Sequence, residues 1–452
     1  MIDELVQELI QRIGRGAGAS TIAATVELAV AHGRLPPGAK LPTVRTLAAA
    51  LTVSPTTVAA AYRELRQRGF VVADRGHGTS ITTTPPVRVK HTAELPAGVG
   101  DLASGNPEPS LLPPLAPPLA AAAAATAEPA AAHKLYGGPV NLPELADLAA
   151  AEFAGDGVHG HVAVTGGALD AIERALQTEL RLGDRVVVED PSWPRIADLV
   201  HALGLTVQPV AVDHRGLDPD GLDGALRRGA RAVIATPRGQ NPTAAAVDPA
   251  RGRALREVLA HHPGVVVVED DYVARIADAP YVPVHRPQGR WAVVRSLSKV
   301  LGPDLRIALV AGDPLTIARI QGRQHLSPGW VSHILQRVAA LLLGDPATGE
   351  LLARAGRVYA QRRGALVSAL AARGIGAWGG SGLGVWIPLA DEAAAVRELL
   401  LRGWAVSPGE RYRMRAAPGI RVTTAGLAPD EAERLADALA ALGRGTAGAY
   451  TG

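Results

Sequence analysis

The 452-residue chain contains no cysteine, which excludes disulfides, thiolate metal sites and a cysteine nucleophile and accords with a cytoplasmic protein. It also lacks a long apolar run. No stretch of about 18 residues is free of proline and charge, so no membrane span is expected. The alanine tract from Ala120 to Ala132 is weakly apolar and carries Glu128 and Pro129. Asp3, Glu4 and Glu8 precede any basic residue, the wrong order for a secretory leader. No histidine is spaced to complete a metal site with the acidic clusters, and no metal is expected.

Lysine is nearly absent as well. Of 46 basic side chains only Lys40, Lys90, Lys134 and Lys299 are lysines. Where a point charge suffices this composition supplies arginine, but an amine that must lose its proton and condense with an aldehyde has no such substitute, because guanidinium stays protonated. Lys299 lies in Ser296-Leu297-Ser298-Lys299-Val300-Leu301-Gly302-Pro303, with Arg306 seven residues on. That setting points to a Schiff-base lysine, with two hydroxyls and a forked guanidinium able to hold a phosphate. The tetrapeptide alone leaves open a surface lysine after a strand.

The length calls for two or three compact units. The net charge of +3 hides an asymmetry: residues 1–90 hold 11 Lys/Arg against 6 Asp/Glu, and the remainder 35 against 37. A basic module ahead of a near-neutral body is compatible with nucleic-acid binding.

Within that module, the segment Ser20 to His32 sets Ile22, Val26, Ala29 and Val30 near one face and stops at Gly33. Thr43 caps a short helix to Leu51, with Val44, Leu47, Ala48 and Leu51 inward, and Ser54 caps another through about Arg68. Two short helices joined by a tight turn match a helix-turn-helix. Its second helix enters the major groove by its first turn, which makes Ser54, Pro55, Thr56 and Thr57 the candidates for base contact. Arg45, Arg63, Arg66 and Arg68 are candidates for phosphates. Phe70-Val71-Val72 and Thr79-Ser80-Ile81-Thr82 predict a hairpin whose glycine-rich tip, including Gly76 and Gly78, forms a wing beside the DNA. A generic three-helix bundle with a hairpin has the same pattern.

From Gly33-Arg34-Leu35-Pro36-Pro37-Gly38 through Leu41-Pro42-Thr43-Val44-Arg45, Val53-Ser54, Thr57-Val58, Ala61-Tyr62, Gly69-Phe70 and Gly76-His77-Gly78-Thr79, the segment resembles the winged helix-turn-helix of GntR-type regulators. The expected division is a DNA-binding domain over 1–82, a Pro/Thr/Val-rich linker over 83–100 and a body over 101–452. Fully extended, the linker spans roughly 60 Å.

In the body, β-branched runs at Val186 to Val188, Thr206 to Val212, Ala232 to Ala235, Val265 to Val268, Ala292 to Val294 and Ile307 to Val310 alternate with helical segments. The pattern predicts an α/β domain with a largely parallel sheet covered on both faces. Ligands collect at the carboxyl ends of such strands. There, Thr165-Gly166-Gly167-Ala168 opens a helix whose free amides favour a phosphate, or is merely a tight turn. Trp193, in Glu189-Asp190-Pro191-Ser192-Trp193, can stack on a flat heterocycle or fill a core. In Glu269-Asp270-Asp271-Tyr272 a carboxylate can keep a pyridine nitrogen protonated, and a tyrosine two residues on can reach a ring oxygen. Asn241, before Pro242, can donate to that oxygen or form a turn.

Taken in order, Gly-Gly, aromatic, Asn-Pro, Asp-x-Tyr, Ser-x-Ser-Lys and Arg resemble fold type I aminotransferases, which use pyridoxal 5′-phosphate (PLP). That resemblance implies a small C-terminal α+β domain beside the main sheet. It implies Lys299 as the Schiff-base lysine, Asp270 at the pyridine nitrogen, Asn241 and Tyr272 at the ring hydroxyl and Trp193 on the ring face. Gly167, Ala168, Ser296, Ser298 and Arg306 would hold the phosphate. Tyr136, in Leu135-Tyr136-Gly137-Gly138, matches a tyrosine that in this fold reaches the partner subunit's phosphate, so a homodimer is implied.

A GntR-type reader joined to such a body resembles the MocR family of transcriptional regulators. The resemblance implies a DNA-binding regulator that senses PLP or a small amino compound through an aldimine. Arg195 and Arg421 match positions that bind an effector carboxylate, or form surface salt bridges. A working aminotransferase with a DNA-binding appendage is the other function that these motifs allow, and a surviving transaminase half-reaction stays open. Three departures stand out: Leu169 replaces the usual glutamine, Val273-Ala274-Arg275-Ile276 lacks an acidic residue, and the His/Arg-rich run near Gly349 to Tyr359 is reduced to Arg354 and Arg357.

Overall fold

The computed structural model of the chain describes residues 10, 13–31, 34–67, 70–74, 78–82, 95, 96, 98–125 and 135–447. Arg68, Gly76, His77 and most of the segment read as a linker lie outside them. The chain divides into two compact units, one comprising Met1–Ala93, Arg181–Arg185 and Ala197–Val207, the other Glu94–Leu180, Val186–Ile196 and Gln208–Gly452.

In the first unit the helices Ala19–Ala31, Val44–Leu51 and Pro55–Gln67 precede strands β1 (Val71–Asp74) and β2 (Gly78–Ile81). The strands pair antiparallel, Val71 opposite Ile81 and Asp74 opposite Gly78. Apolar spacing on each element supplies one core of Ile22, Val26, Leu47, Leu51, Val58, Leu65, Val71 and Ile81. Thr43 caps the second helix through its hydroxyl, and Thr52 ends it in the left-handed region at φ 56°. The turn is thereby fixed at both ends. The stretch before Thr43, which reads as a connection, also joins the hairpin: Leu41 N–H donates to Thr79 O and Ile81 N–H to Ala39 O, each at 2.8 Å.

The body's eight-stranded sheet has the order β4-β11-β10-β9-β8-β5-β6-β7. Its strands are β4 (His161–Thr165), β5 (Arg185–Asp190), β6 (Thr206–Asp213), β7 (Gly216–Leu217), β8 (Ala230–Ala235), β9 (Val266–Asp270), β10 (Arg290–Ser296) and β11 (Ala308–Gly312). Each run singled out in the body's sequence is among them. β8, β9 and β10 run parallel, and the strand interiors are buried, as continuous apolar runs require. β11 departs from the expected parallel order, being antiparallel to both β10 and β4. Only residues 297–307 separate it from β10, too short a path for the helical crossover that a parallel neighbour needs.

A second sheet, in the order β12-β14-β13-β3, combines β12 (Gly384–Pro388), β13 (Trp404–Pro408) and β14 (Gly419–Thr423) with β3 (Gly100–Leu102). Its core includes Leu366, Leu370, Val385, Ile387, Leu399, Val406, Ile420, Val422 and Leu435. β3 runs parallel to β13, so a segment from before the main sheet completes the C-terminal one.

Candidate functional site

Parallel strands present their carboxyl ends on one edge, and five loops of the second unit carry the residues of interest there. The β10–β11 loop holds Lys299, half-buried, whose Nζ donates to Gly105 O at 2.8 Å. Burial, and then the nearby Arg421 guanidinium, bring its pKa down to about 8. At the end of β9, Asp270 is buried and its Oδ1 has no hydrogen-bond partner among the described residues. Burial, followed by the negative charges of Asp271 and Glu189, pushes its pKa up to about 7.

The adjacent Asp271 has the opposite surroundings. It is fully buried in ion pairs with Arg238 at 2.7 Å and Arg295 at 3.0 Å, and both guanidiniums also reach Asp156. Its charge is spent on holding the sheet end together. Glu189, at the end of β5, accepts from Thr236 N–H at 2.9 Å and Gln240 Nε2 at 3.0 Å, with burial raising its pKa to about 7.

Tyr272 donates its hydroxyl proton to Gly239 O at 2.6 Å. Asn241 Oδ1 accepts from Arg421 Nη1 at 3.0 Å, and Arg421 also donates to Thr423 Oγ1 at 3.2 Å and to Ala103 O. Its Nε is buried without a partner among the described residues. The ring of Tyr412 lies 5.3 Å from the same guanidinium. Lys299, Asp270, Tyr272, Asn241 and Arg421 thus form one cluster through direct hydrogen bonds, shared neighbours and charge.

After β4 the chain turns at Gly167 into the helix Ala168–Glu179, which begins without a side-chain cap. Gly167 adopts φ 112°, and a Cβ there would lie 2.7 Å from Arg306 Nη2. Only glycine lets the guanidinium lie against this turn. Ser298 N–H donates to Ser296 Oγ at 3.3 Å, and both serines are half-buried, as are Trp193 and Ala168. Arg195 is exposed in the helix Pro194–Ala202. Tyr136 is 90 % exposed and meets Trp330 edge-on at 5.5 Å between centroids.

In the first unit, Ser54 Oγ accepts from Thr57 N–H at 3.1 Å and bonds the hydroxyls of Thr56 and Thr57 at 2.7 and 2.8 Å. Arg45, Ser54, Pro55, Thr56, Arg63, Arg66 and Gly78 are exposed, and Thr57 is half-buried. Tyr62, buried, donates to Pro42 O at 2.7 Å, which locks the second helix of the pair to the segment ahead of the first.

Two family profiles match the chain: "Bacterial regulatory proteins, gntR family" over residues 19–81 and "Aminotransferase class I and II" over residues 99–439. The vitamin B6 salvage pathway transcriptional repressor PtsJ of Salmonella typhimurium strain LT2 is 37% identical over 426 residues, covering 93% of this chain and 97% of that protein. The chain belongs to the MocR family. Among other relatives, the pyridoxine biosynthesis transcriptional regulator PdxR of Corynebacterium glutamicum is 28% identical over 74% of each chain. The fold of the body is that of the multiple substrate aminotransferase from Thermococcus profundus, with a TM-score of 0.68 at 20% identity, covering 76% of this chain and 91% of the other.

Two of the three departures from the MocR resemblance lie beside local ion pairs. Beside Leu169, the Asp170 carboxylate accepts from Gly166 N–H at 2.9 Å and pairs with Arg174 at 2.7 Å, so the turn keeps a polar tie. In the segment after Tyr272, Arg275 pairs with Glu152 at 2.6 Å. Arg354 and Arg357 are exposed. Gly105, Gly239 and Tyr412 stand at the site without having been singled out by sequence. Two contribute backbone carbonyls, which no residue type announces, and Tyr412 sits in a cationic loop without periodicity.

Proposed function

We propose that this chain is a transcriptional regulator that binds double-stranded DNA through its winged helix and senses PLP, or a small amino compound that reacts with it, in its aminotransferase-like body. The observation that carries this reading is the buried Asp270 oxygen without a partner among the described residues, in a body that also holds a lysine of lowered pKa. A desolvated carboxylate oxygen calls for a donor. A protonated pyridine nitrogen supplies one.

The residues present fit PLP. When bound, the group supplies an aldehyde reactive toward primary amines and an electron-withdrawing ring. Lys299 Nζ, with its pKa near 8, is neutral in about a tenth of molecules at pH 7, the form that can attack. Asp270 would hold the proton on the ring nitrogen, Asn241 and Tyr272 would stand on the side of the ring hydroxyl, and Trp193 would cover a face. Gly167 and Ala168 offer amides at a helix start and Ser296, Ser298 and Arg306 offer donors, a phosphate site by their chemistry. Arg421 and Arg195 receive a carboxylate of the sensed compound.

The names of PtsJ and PdxR, both tied to vitamin B6 metabolism, support this assignment. No helix among the described residues is long and apolar enough to cross a membrane. Self-association as a homodimer is supported by the exposed apolar residues Leu135, Tyr136, Leu326 and Ile334. In such a dimer Tyr136 would reach a partner subunit's phosphate.

Purified full-length protein with added PLP should gain a visible absorbance band, which Lys299→Ala loses. It should also shift promoter DNA of its own or neighbouring genes. Protein that stays colourless refutes the cofactor assignment. Steady turnover of an amino donor and a keto acid at roughly 1 per second or more would make the body a working aminotransferase instead.

A further inference from the structure

Asp190 ends β5, three residues before Trp193, and has no part in the functions assigned so far. Its carboxylate accepts three backbone N–H groups from the loop between β13 and β14: Met414 at 2.8 Å, Arg415 at 2.7 Å and Ala416 at 3.1 Å. Two residues on, Ser192 N–H donates to Tyr412 O at 2.9 Å. Charge-assisted bonds from successive amides make a firm anchor, and this one fastens a loop of the small sheet to the end of a strand of the large sheet.

That loop carries Tyr412, which is buried. Its hydroxyl hydrogen-bonds Ser407 Oγ at 2.9 Å, and Ser407 is the cross-strand partner of Arg421. The Tyr412 ring lies 5.3 Å from the Arg421 guanidinium, within the range of a cation–π contact. Tyr412 is therefore held at its backbone by Ser192, at its tip by Ser407 and through the following residues by Asp190. Arg421, in turn, is oriented by Asn241, Thr423 and this ring.

We propose that Asp190 is a positioning residue which, by fastening residues 412–416, holds Tyr412 against Arg421 and so sets that guanidinium to receive the carboxylate of an amino acid. The proposal rests on the reading of Arg421 as the carboxylate receptor. An aspartate is required because both oxygens accept. Asparagine of the same shape keeps one acceptor and turns an NH2 group toward an amide donor.

The test uses PLP-loaded full-length protein, titrated by visible absorbance with L-amino acids and the matching amines that lack the carboxylate. Wild type should favour the carboxylated member of a pair. Asp190→Asn should lower that preference by about tenfold, the scale of one charge-assisted contact, while the response to the plain amine and PLP uptake stay near wild type. Tyr412→Phe, which keeps the ring, should hold most of the preference, and Tyr412→Leu should lose it. Should Asp190→Asn fail to take up PLP, Tyr412→Leu decides alone: preference lost supports the proposal, preference kept overturns it. If Arg421→Met loses the preference and Asp190→Asn keeps it, the positioning role is wrong. If wild type shows none, or Arg421→Met keeps it, the reading of Arg421 fails first.

Discussion

Asp270 and Asp271 are neighbours with the same side chain and opposite circumstances. Asp271 is neutralised by two arginines, whereas Asp270 is buried with one oxygen unpartnered among the described residues and a pKa pushed from 3.8 to about 7. The folded state therefore binds a proton more tightly than the unfolded chain, and stability falls as pH rises from about 4 through 7. Below about 4 both states are protonated and no penalty exists. Asp270→Asn should then stabilise the PLP-free protein at pH 8 by up to about 4 kcal/mol, with little effect at pH 4, as urea unfolding at the two pH values would show. The same variant should lose the thermal stabilisation that PLP gives wild type. Lys299 has the complementary profile: a pKa of about 8 means that the initial rate of colour development with PLP should climb about tenfold per unit up to pH 8 and level off above it. A rate already flat from pH 6 would show that amine deprotonation does not limit the reaction.

Elements were legible where burial imposes a period. Val186 to Val188 and Val265 to Val268 become β5 and β9 because a strand buried on both faces must be apolar throughout. The helix Val44–Leu51 follows from Leu47, Ala48 and Leu51 facing one core. Pairing was less legible. The antiparallel β11, β3 in the C-terminal sheet and the tie from Ala39 and Leu41 to the wing are made by backbone groups, and side-chain patterns do not encode which backbone they meet. Likewise the site's side chains carried a chemical signal, while Gly105 and Gly239 contribute carbonyls and carry none. The start of the helix Pro55–Gln67 was legible, since Ser54 is a favoured cap residue and accepts from Thr57 N–H. Ser54→Ala should cost that helix about 1 kcal/mol and speed amide exchange at Thr57, whereas Ser54→Asp restores the acceptor and the protection. Protection restored with DNA affinity still reduced would mark the first turn as lying against phosphates, because a carboxylate there is repelled.

For the whole molecule, charge is divided as function would divide it. Residues 1–90 carry 11 Lys/Arg against 6 Asp/Glu and the rest 35 against 37, so the module supplies the attraction to DNA and the body adds little. Phosphate contacts release counterions, and the slope of log affinity against log salt counts them at nearly one per contact. Arg45 is exposed on the first helix of the pair and Arg354 is exposed on the body helix Pro346–Ala371, two arginines that differ in location rather than in charge or accessibility. Arg45→Ala should reduce the salt slope of full-length protein on operator DNA by about 1 per module, and by about 2 for a homodimer gripping two half-sites. It should also weaken binding to all sequences alike. Arg354→Ala should leave the slope unchanged, and the total reduction for Arg45→Ala then gives the number of modules engaged. Equal effects from the two substitutions would mean that DNA is held by the field of the entire chain, not by the winged helix.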